Sequence, residues 1–222
     1  MQSREETSSR TQKALLRTAM LSRMEALPRS EHARLSQQAA ACILASPQWQ
    51  TAKIVYLFAN NGDEIGTQHL LQAAWDSGKT LCLPKCRRGQ FGDMDFWPCA
   101  GMDSLAPGTL GIMEPDIPPD VQVVPGCPCP PPANPVPDLV LFPVLACSPQ
   151  GDRLGYGGGY YDRFFTSHFT EAGTPPPFRV AFCFAFQLVP ALPFDPWDQP
   201  VDAICTEHGL VPATRNIPQG AT

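Results

Sequence analysis

Charge is scarce in this 222-residue chain: only 17% of residues are Asp, Glu, Lys or Arg, and the formal net charge is -5. A chain so short of positive charge lacks the broad basic surface that nucleic acid or an anionic bilayer requires, so neither is expected as a partner. Local basic groups remain available to a small anion. Long apolar runs are missing too. Neither end carries a membrane-spanning stretch, and Met1 to Arg10 has no apolar signal-peptide core. C-x-x-C pairs are absent, and the four histidines complete no zinc pattern. The nine cysteines, an odd number, therefore read as free thiols in a reducing compartment, and the expected location is cytoplasmic.

What is present is an alternation of amphipathic and apolar stretches. Residues 1–10 hold nothing that can bury and are expected to form a disordered tail. From Thr11, the residues Leu15, Leu16, Ala19 and Met20 recur at helical spacing, with Lys13 and Arg17 four apart on one face. A second helix is expected over about Ser30 to Leu44, capped by Ser30 and stopped by Pro47. Residues 53–58 (Lys-Ile-Val-Tyr-Leu-Phe) read as a buried parallel strand. A helix from Thr67 to Gly78 follows, then a strand at Thr80–Pro84 and an edge strand at 94–97.

Residues 116–137 are so rich in proline that sheet pairing is excluded, and they read as a surface loop inside one fold. Further apolar strands are expected over 138–146 and 178–186. The resulting architecture is a three-layer α/β sandwich with a mainly parallel, Rossmann-like sheet. A single domain over 11–210 and a C-terminal tail at 211–222 complete the expectation.

The most informative stretch is residues 153–163, Arg-Leu-Gly-Tyr-Gly-Gly-Gly-Tyr-Tyr-Asp-Arg. It follows the apolar strand and precedes a helix beginning at Phe164 and Phe165. A strand, a glycine-rich turn and a helix together present backbone N–H groups that can wrap an anion. Four glycines in the five positions 155–159 remove the Cβ atoms that would hold a phosphate away. Arg153 and Arg163 flank the turn. Arg153 supplies a planar fork suited to paired phosphate oxygens, and Asp162 beside such a cradle suits an intervening magnesium ion. The second informative stretch is the polar loop 59–67 after the first strand, where ligands of open parallel sheets bind.

The motif at 153–163, after Asp-Leu-Val-Leu-Phe-Pro at 138–143, closely resembles the signature of the 5-formyltetrahydrofolate cyclo-ligases. Three further segments agree in order: Lys13-Ala14-Leu15-Leu16-Arg17, the Asp63-Glu64-Ile65-Gly66-Thr67 loop, and the closing segment through Asp198 and Asp202 to Glu207. The resemblance spans about Lys13 to Glu207. Two departures are the Pro/Cys-rich insertion and Trp197, which stands where many relatives carry histidine.

The resemblance implies conversion of 5-formyltetrahydrofolate and ATP to 5,10-methenyltetrahydrofolate, ADP and phosphate, through a phosphorylated formyl (iminium phosphate) intermediate. It assigns ATP binding to Lys13, Arg17, Arg153, Leu154, Gly155, Tyr156, Gly157, Gly158, Gly159, Tyr160 and Tyr161. Glu64 and Tyr160 would hold the folate, Arg153 and Tyr160 would act on the reacting groups, and Asp162 and Asp198 would bind Mg2+. Asp202 aligns with a further acidic position. The expected enzyme is a monomer that works on small molecules by positioning and electrostatics, with no covalent nucleophile. Two other readings stay open from the residues alone: another phosphate-handling enzyme of related fold, such as a sugar-phosphate isomerase or acyl-CoA transferase, or a non-catalytic folate- or nucleotide-binding regulatory protein.

Overall fold

The structure is a computed structural model that describes residues 2–87, 89–108, 111–117, 134–171 and 175–215. In chain order, α1 (Gln2–Glu25), α2 (Arg29–Leu44) and α3 (Pro47–Thr51) precede β1 (Ile54–Tyr56). Then come α4 (Gln68–Asp76), β2 (Thr80–Cys86), β3 (Met94–Pro98), β4 (Leu105–Pro107) and β5 (Met113–Pro115). The second half holds β6 (Leu139–Pro143), β7 (Ala146–Cys147), β8 (Arg153–Leu154) and α5 (Tyr160–Phe165), which continues into a π-helical turn, Thr166–Glu171. Last are β9 (Phe178–Phe182), β10 (Ala203–Thr206) and β11 (Gly209–Pro212).

Seven strands form the central sheet in the order β11-β10-β9-β6-β1-β2-β3. The five inner strands run parallel, and β3 and β11 pair antiparallel at the two edges. Side chains alternate across the sheet because successive residues of a strand face opposite ways. Val55, Leu57, Leu139, Leu141, Val180 and Phe182 face one way, against Leu35 and Ile43 of α2 and Leu70 of α4. Tyr56, Val140, Phe142 and Ala181 face the other way, against Phe164 and Phe165 of α5. Met20 and Met24 of α1 cover Leu145, Ala146 and Leu154 beside this second layer. The helices on both faces make the expected three-layer α/β sandwich.

Several local expectations shift. α1 starts at Gln2, so residues 2–10 are helical where a tail is expected, and no glycine or proline interrupts residues 2–25. α2 begins at Arg29 after Pro28, and Ser30 lies inside its first turn instead of capping it. Thr67 stands at the N-cap position of α4, yet its hydroxyl donates to Phe58 O at 2.7 Å and caps nothing. The ordered fold also extends past 210: Thr214 N donates to Pro149 O at 2.8 Å, and Arg215 pairs with Asp152. β2 runs through Pro84, which is tolerated because Phe96 opposite it bonds to Asn134 instead, so the missing Pro84 N–H faces the β1 side, where pairing has already ended at Cys82.

Most of the proline-rich loop expected over 116–137, with Cys127 and Cys129, lies outside the described residues. The seven cysteines among the described residues are free thiols. No helix among the described residues is long and apolar enough to cross a membrane.

Candidate active site

β1 and β6 are neighbours, but the chain passes from β1 to β2 on one side and from β6 towards β9 on the other. The segments that leave the carboxyl ends of these two strands therefore diverge, which opens a crevice at the sheet edge. Residues 57–67 leave β1. Residues 144–159 leave β6, double back as the β7–β8 hairpin and end in the glycine-rich turn. Both informative stretches of the sequence thus reach one place.

Arg153, on β8, anchors this place from below. Its Nε donates to Gln199 O at 2.8 Å, and its Nη2 donates to Asp162 Oδ1 at 2.5 Å. Its Cζ lies 4.7 Å from the centre of the Phe142 ring. The Gln199 N–H donates to the same Asp162 oxygen at 3.0 Å, so one carboxylate ties β8, α5 and the C-terminal segment together. Burial pulls the Arg153 guanidinium below its ordinary value while Asp162 and Asp198 oppose the shift. An arginine remains charged through such a change.

The turn itself depends on glycine geometry. Gly157 has φ +100° and Gly159 has φ +68°, a region that L side chains seldom occupy. Arg17 lies along its outer side and donates from Nε to Gly155 O at 2.9 Å. One helical turn earlier, Lys13 is buried, and its ammonium donates to Asp195 Oδ2 and Asp198 Oδ2, each at 2.6 Å. Those two aspartates close a tight turn in which Asp195 N donates to Asp198 Oδ2 at 2.9 Å. Burial acts to lower the Lys13 pKa, but the bonds to Asp195 and Asp198 outweigh it and leave the ammonium raised. Helix α1 is thereby pinned to the far end of the chain across the mouth of the glycine turn.

Glu64 arrives from the β1 side. Asn61 N donates to its Oε2 at 2.7 Å, and the Tyr156 hydroxyl donates to its carboxylate, so the acidic loop is joined to the glycine turn. Burial raises the Glu64 pKa against the pull of those two donors, and it raises the Tyr156 phenol as well. Tyr160 opens α5 with its ring 5.7 Å from the Phe91 ring, edge to face. Tyr161 packs its ring on Phe142 and Phe96. The Tyr161 hydroxyl is buried and has no hydrogen-bond partner among the described residues. Burial and Glu64 push that phenol up while Arg153 opposes them. An orphaned buried hydroxyl costs about 1–3 kcal/mol, which a ligand supplying a partner would recover.

Lys13, Arg17, Arg153, Gly155 to Gly159, Asp162 and Asp198 therefore converge, and Glu64 joins them through Tyr156. The Leu154 side chain turns away, into the core against Met20 and Met24. Asp202 is committed elsewhere: its carboxylate accepts from Arg179 Nη2 at 3.0 Å and from Arg179 N at 2.8 Å. The Trp197 side chain is 62% exposed. Among the described residues, no three His, Cys, Asp or Glu side chains gather as a metal cage. Asp162 accepts from the N–H of Gln199, the residue after Asp198, so the two carboxylates lie on neighbouring segments, and Mg2+ needs few protein ligands because it keeps waters and takes phosphate oxygens. Asp195, Gln199 and Phe142 were not identified from sequence. Only Asp195 carried a signal, as an acidic residue three positions before Asp198.

Comparison with known proteins places the chain in a family. The model of the family described as "5-formyltetrahydrofolate cyclo-ligase family" matches residues 9–207. The 5-formyltetrahydrofolate cyclo-ligase of Escherichia coli K12 is 31% identical over 184 residues, covering 83% of this chain and 94% of that protein. The mouse 5-formyltetrahydrofolate cyclo-ligase is 27% identical, covering 86% and 92%. Among solved structures, the NMR structure of Aquifex aeolicus 5,10-methenyltetrahydrofolate synthetase superposes with a TM-score of 0.70 at 27% identity, covering 91% of this chain and 93% of that one. The Mycoplasma pneumoniae 5,10-methenyltetrahydrofolate synthetase shares the fold, with a TM-score of 0.61 at 19% identity. The glycine turn, the residues that converge on it and the match along nearly the whole chain lead to one assignment: the chain belongs to the 5-formyltetrahydrofolate cyclo-ligase family of enzymes.

Proposed function

We propose that this protein uses ATP and Mg2+ to convert 5-formyltetrahydrofolate to 5,10-methenyltetrahydrofolate, releasing ADP and phosphate, as a cytoplasmic monomer. The observation that carries this reading is that Arg17 and Arg153 border a glycine-rich turn, with Lys13 one helical turn from Arg17 on the same face of α1. Such a surface suits a polyphosphate.

A formamide oxygen is a poor leaving group, so ring closure needs it activated. In the proposed reaction the formyl oxygen attacks the γ-phosphorus and ADP departs. N10 then bonds to the formyl carbon, the phosphorylated oxygen leaves as phosphate, and the N10 proton goes to solvent. Lys13 and Arg17 hold the triphosphate with the backbone of Gly155 to Gly159, including the Leu154 to Tyr161 main chain on either side. Arg153 stabilises charge on the transferring group, a role suited to a buried guanidinium whose Asp162 contact fixes its plane. When bound, Mg2+ would neutralise phosphate charge, and Asp162 and Asp198 would be the carboxylates that hold it. Glu64 accepts hydrogen bonds from the folate in place of Asn61 or Tyr156, and Tyr160 offers its ring to the substrate. The unpartnered Tyr161 hydroxyl is a further donor for either substrate.

The test is absorbance of the methenyl product with purified protein, 5-formyltetrahydrofolate and Mg-ATP, beside a control without ATP. An ATP-dependent rise matched by ADP release is the expected result. No rise from a folded protein would refute the proposal.

A further inference from the structure

The tip of the β2–β3 hairpin is tied to the glycine turn by one side chain. Arg163, on α5, donates from Nε to Gly92 O at 3.0 Å and from Nη2 to Gly158 O, and its Nε lies 3.6 Å from Asp93 Oδ1. Gly92 has φ +90°, and a Cβ there would fall 1.3 Å from Arg163 Nη2 and 2.2 Å from Cζ. A side chain here would be strained by the φ and would have to displace the guanidinium. The residue before it, Phe91, is 84% exposed, more than any other large apolar side chain among the described residues. Its ring nevertheless has a defined neighbour, standing at 64° to Tyr160 with 5.7 Å between centroids.

A single exposed phenylalanine on a loop needs no explanation by itself. This one is held over a residue of the crevice by a charged latch that starts from the turn. The two arginines on the turn also divide it: Arg17 lies against Gly155 and Gly157, and Arg163 against Gly158 and Gly159. The hairpin tip therefore stands at the end away from Lys13 and Arg17, the proposed triphosphate side.

We infer that the hairpin tip is a wall of the folate pocket, in which Phe91 packs against a flat ring of the reduced folate beside Tyr160 and Arg163 is the positioning residue that holds the wall in place. The inference rests on the folate reading of Tyr160 given above. A large aromatic ring left in water beside another aromatic edge has contact area to offer a planar ligand, and such ring pairs gain beyond simple area burial.

The experiment is calorimetric titration of wild type, Phe91→Ala, Phe91→Trp and Arg163→Gln with 5-formyltetrahydrofolate and, separately, with Mg-ATP. Phe91→Ala should weaken folate binding roughly five- to tenfold, the effect of losing one aromatic pair, while ATP affinity stays within about twofold. Phe91→Trp should retain folate affinity. Arg163→Gln should raise the KM for the folate with kcat largely kept, a split that a merely structural loss would not produce. Unchanged folate affinity in Phe91→Ala, or equal loss of both ligands, would overturn the inference. Failure of the wild type itself to bind 5-formyltetrahydrofolate would overturn the folate reading of the site and this wall with it.

Discussion

Lys13→Met separates the electrostatics of the mouth of the site from its packing. Methionine keeps most of the lysine stem but removes the ammonium that sits 2.6 Å from each of Asp195 and Asp198. Side-chain exposure of the three groups is 10%, 22% and 15%, so solvent screens them only in part. Without Lys13 the two carboxylate oxygens remain about 5 Å apart or less, and their repulsion is worth about 1–3 kcal/mol between the limits of water and a partly buried site. Two charge-assisted hydrogen bonds are lost as well, so the net destabilisation should be about 2–4 kcal/mol. For a chain of this length that lowers Tm by roughly 5–15 °C. The assay is urea and thermal unfolding at neutral pH, with and without MgCl2. A divalent cation can replace the missing charge, so Mg2+ should raise the Tm of the variant more than that of wild type. Asp195→Asn should cost less, about 1–2 kcal/mol, because Asp198 still pairs with Lys13.

The sign with pH is also set. The Lys13 pKa is raised above its ordinary 10.5, so its contribution is complete below that value and is lost as pH rises through the higher folded value. The gap between wild type and Lys13→Met should therefore be insensitive to Lys13 titration at neutral pH and narrow only in strong alkali. A Lys13→Met protein within about 0.5 kcal/mol of wild type at neutral pH would refute the reasoning, because surface pairs of no consequence behave that way.

Three other outcomes are expected. Burial holds the Glu64 pKa above its ordinary 4.5, so Glu64→Gln should stabilise the fold at neutral pH, with the gain vanishing as pH falls below 4.5; the same variant should bind 5-formyltetrahydrofolate more weakly in calorimetry. Asp162→Asn keeps an oxygen for Arg153 and Gln199, so circular dichroism should be unchanged while turnover falls about 100-fold or more; near-normal turnover would remove Asp162 from the metal site. Phe142→Leu removes the ring 4.7 Å from the buried Arg153 Cζ, and should cost about 2–4 kcal/mol in unfolding experiments through the lost cation–π contact and the space left behind.

The parts read well from sequence are those whose physics is local. Val55, Tyr56 and Leu57 alternate faces because a strand has a period of two, and their apolar character required cover on both sides. Lys13 and Arg17 share a face because a helix repeats near every fourth residue. The glycines at 155–159 mark an open turn wherever the chain places them. Local signals misled where several answers were nearly equal in energy: α1 extends back to Gln2, and Pro28 precedes the first turn in place of a Ser30 cap.

The convergence itself was not local. Lys13 meets Asp195 across 182 residues, Arg17 meets Gly155 across 138, and Arg163 meets Gly92 across 71. Gln199, Phe142 and Phe91 look ordinary in the sequence and acquire meaning only from their neighbours. By itself, the sequence determined the main helices and parallel strands, the glycine-rich turn and the family, since each rests on short-range spacing or on a run of matching motifs, while the short elements α3, β4, β5, β7, β8, β10 and β11 carried no such signal. Tertiary structure decided that Lys13 is shared by two aspartates, that Asp202 belongs to Arg179 and not to the site, and that the β2–β3 hairpin is latched over Tyr160. The reason is the strand order: placing β6 between β1 and β9 brings distant loops to one sheet edge, and no local pattern of residues encodes that order.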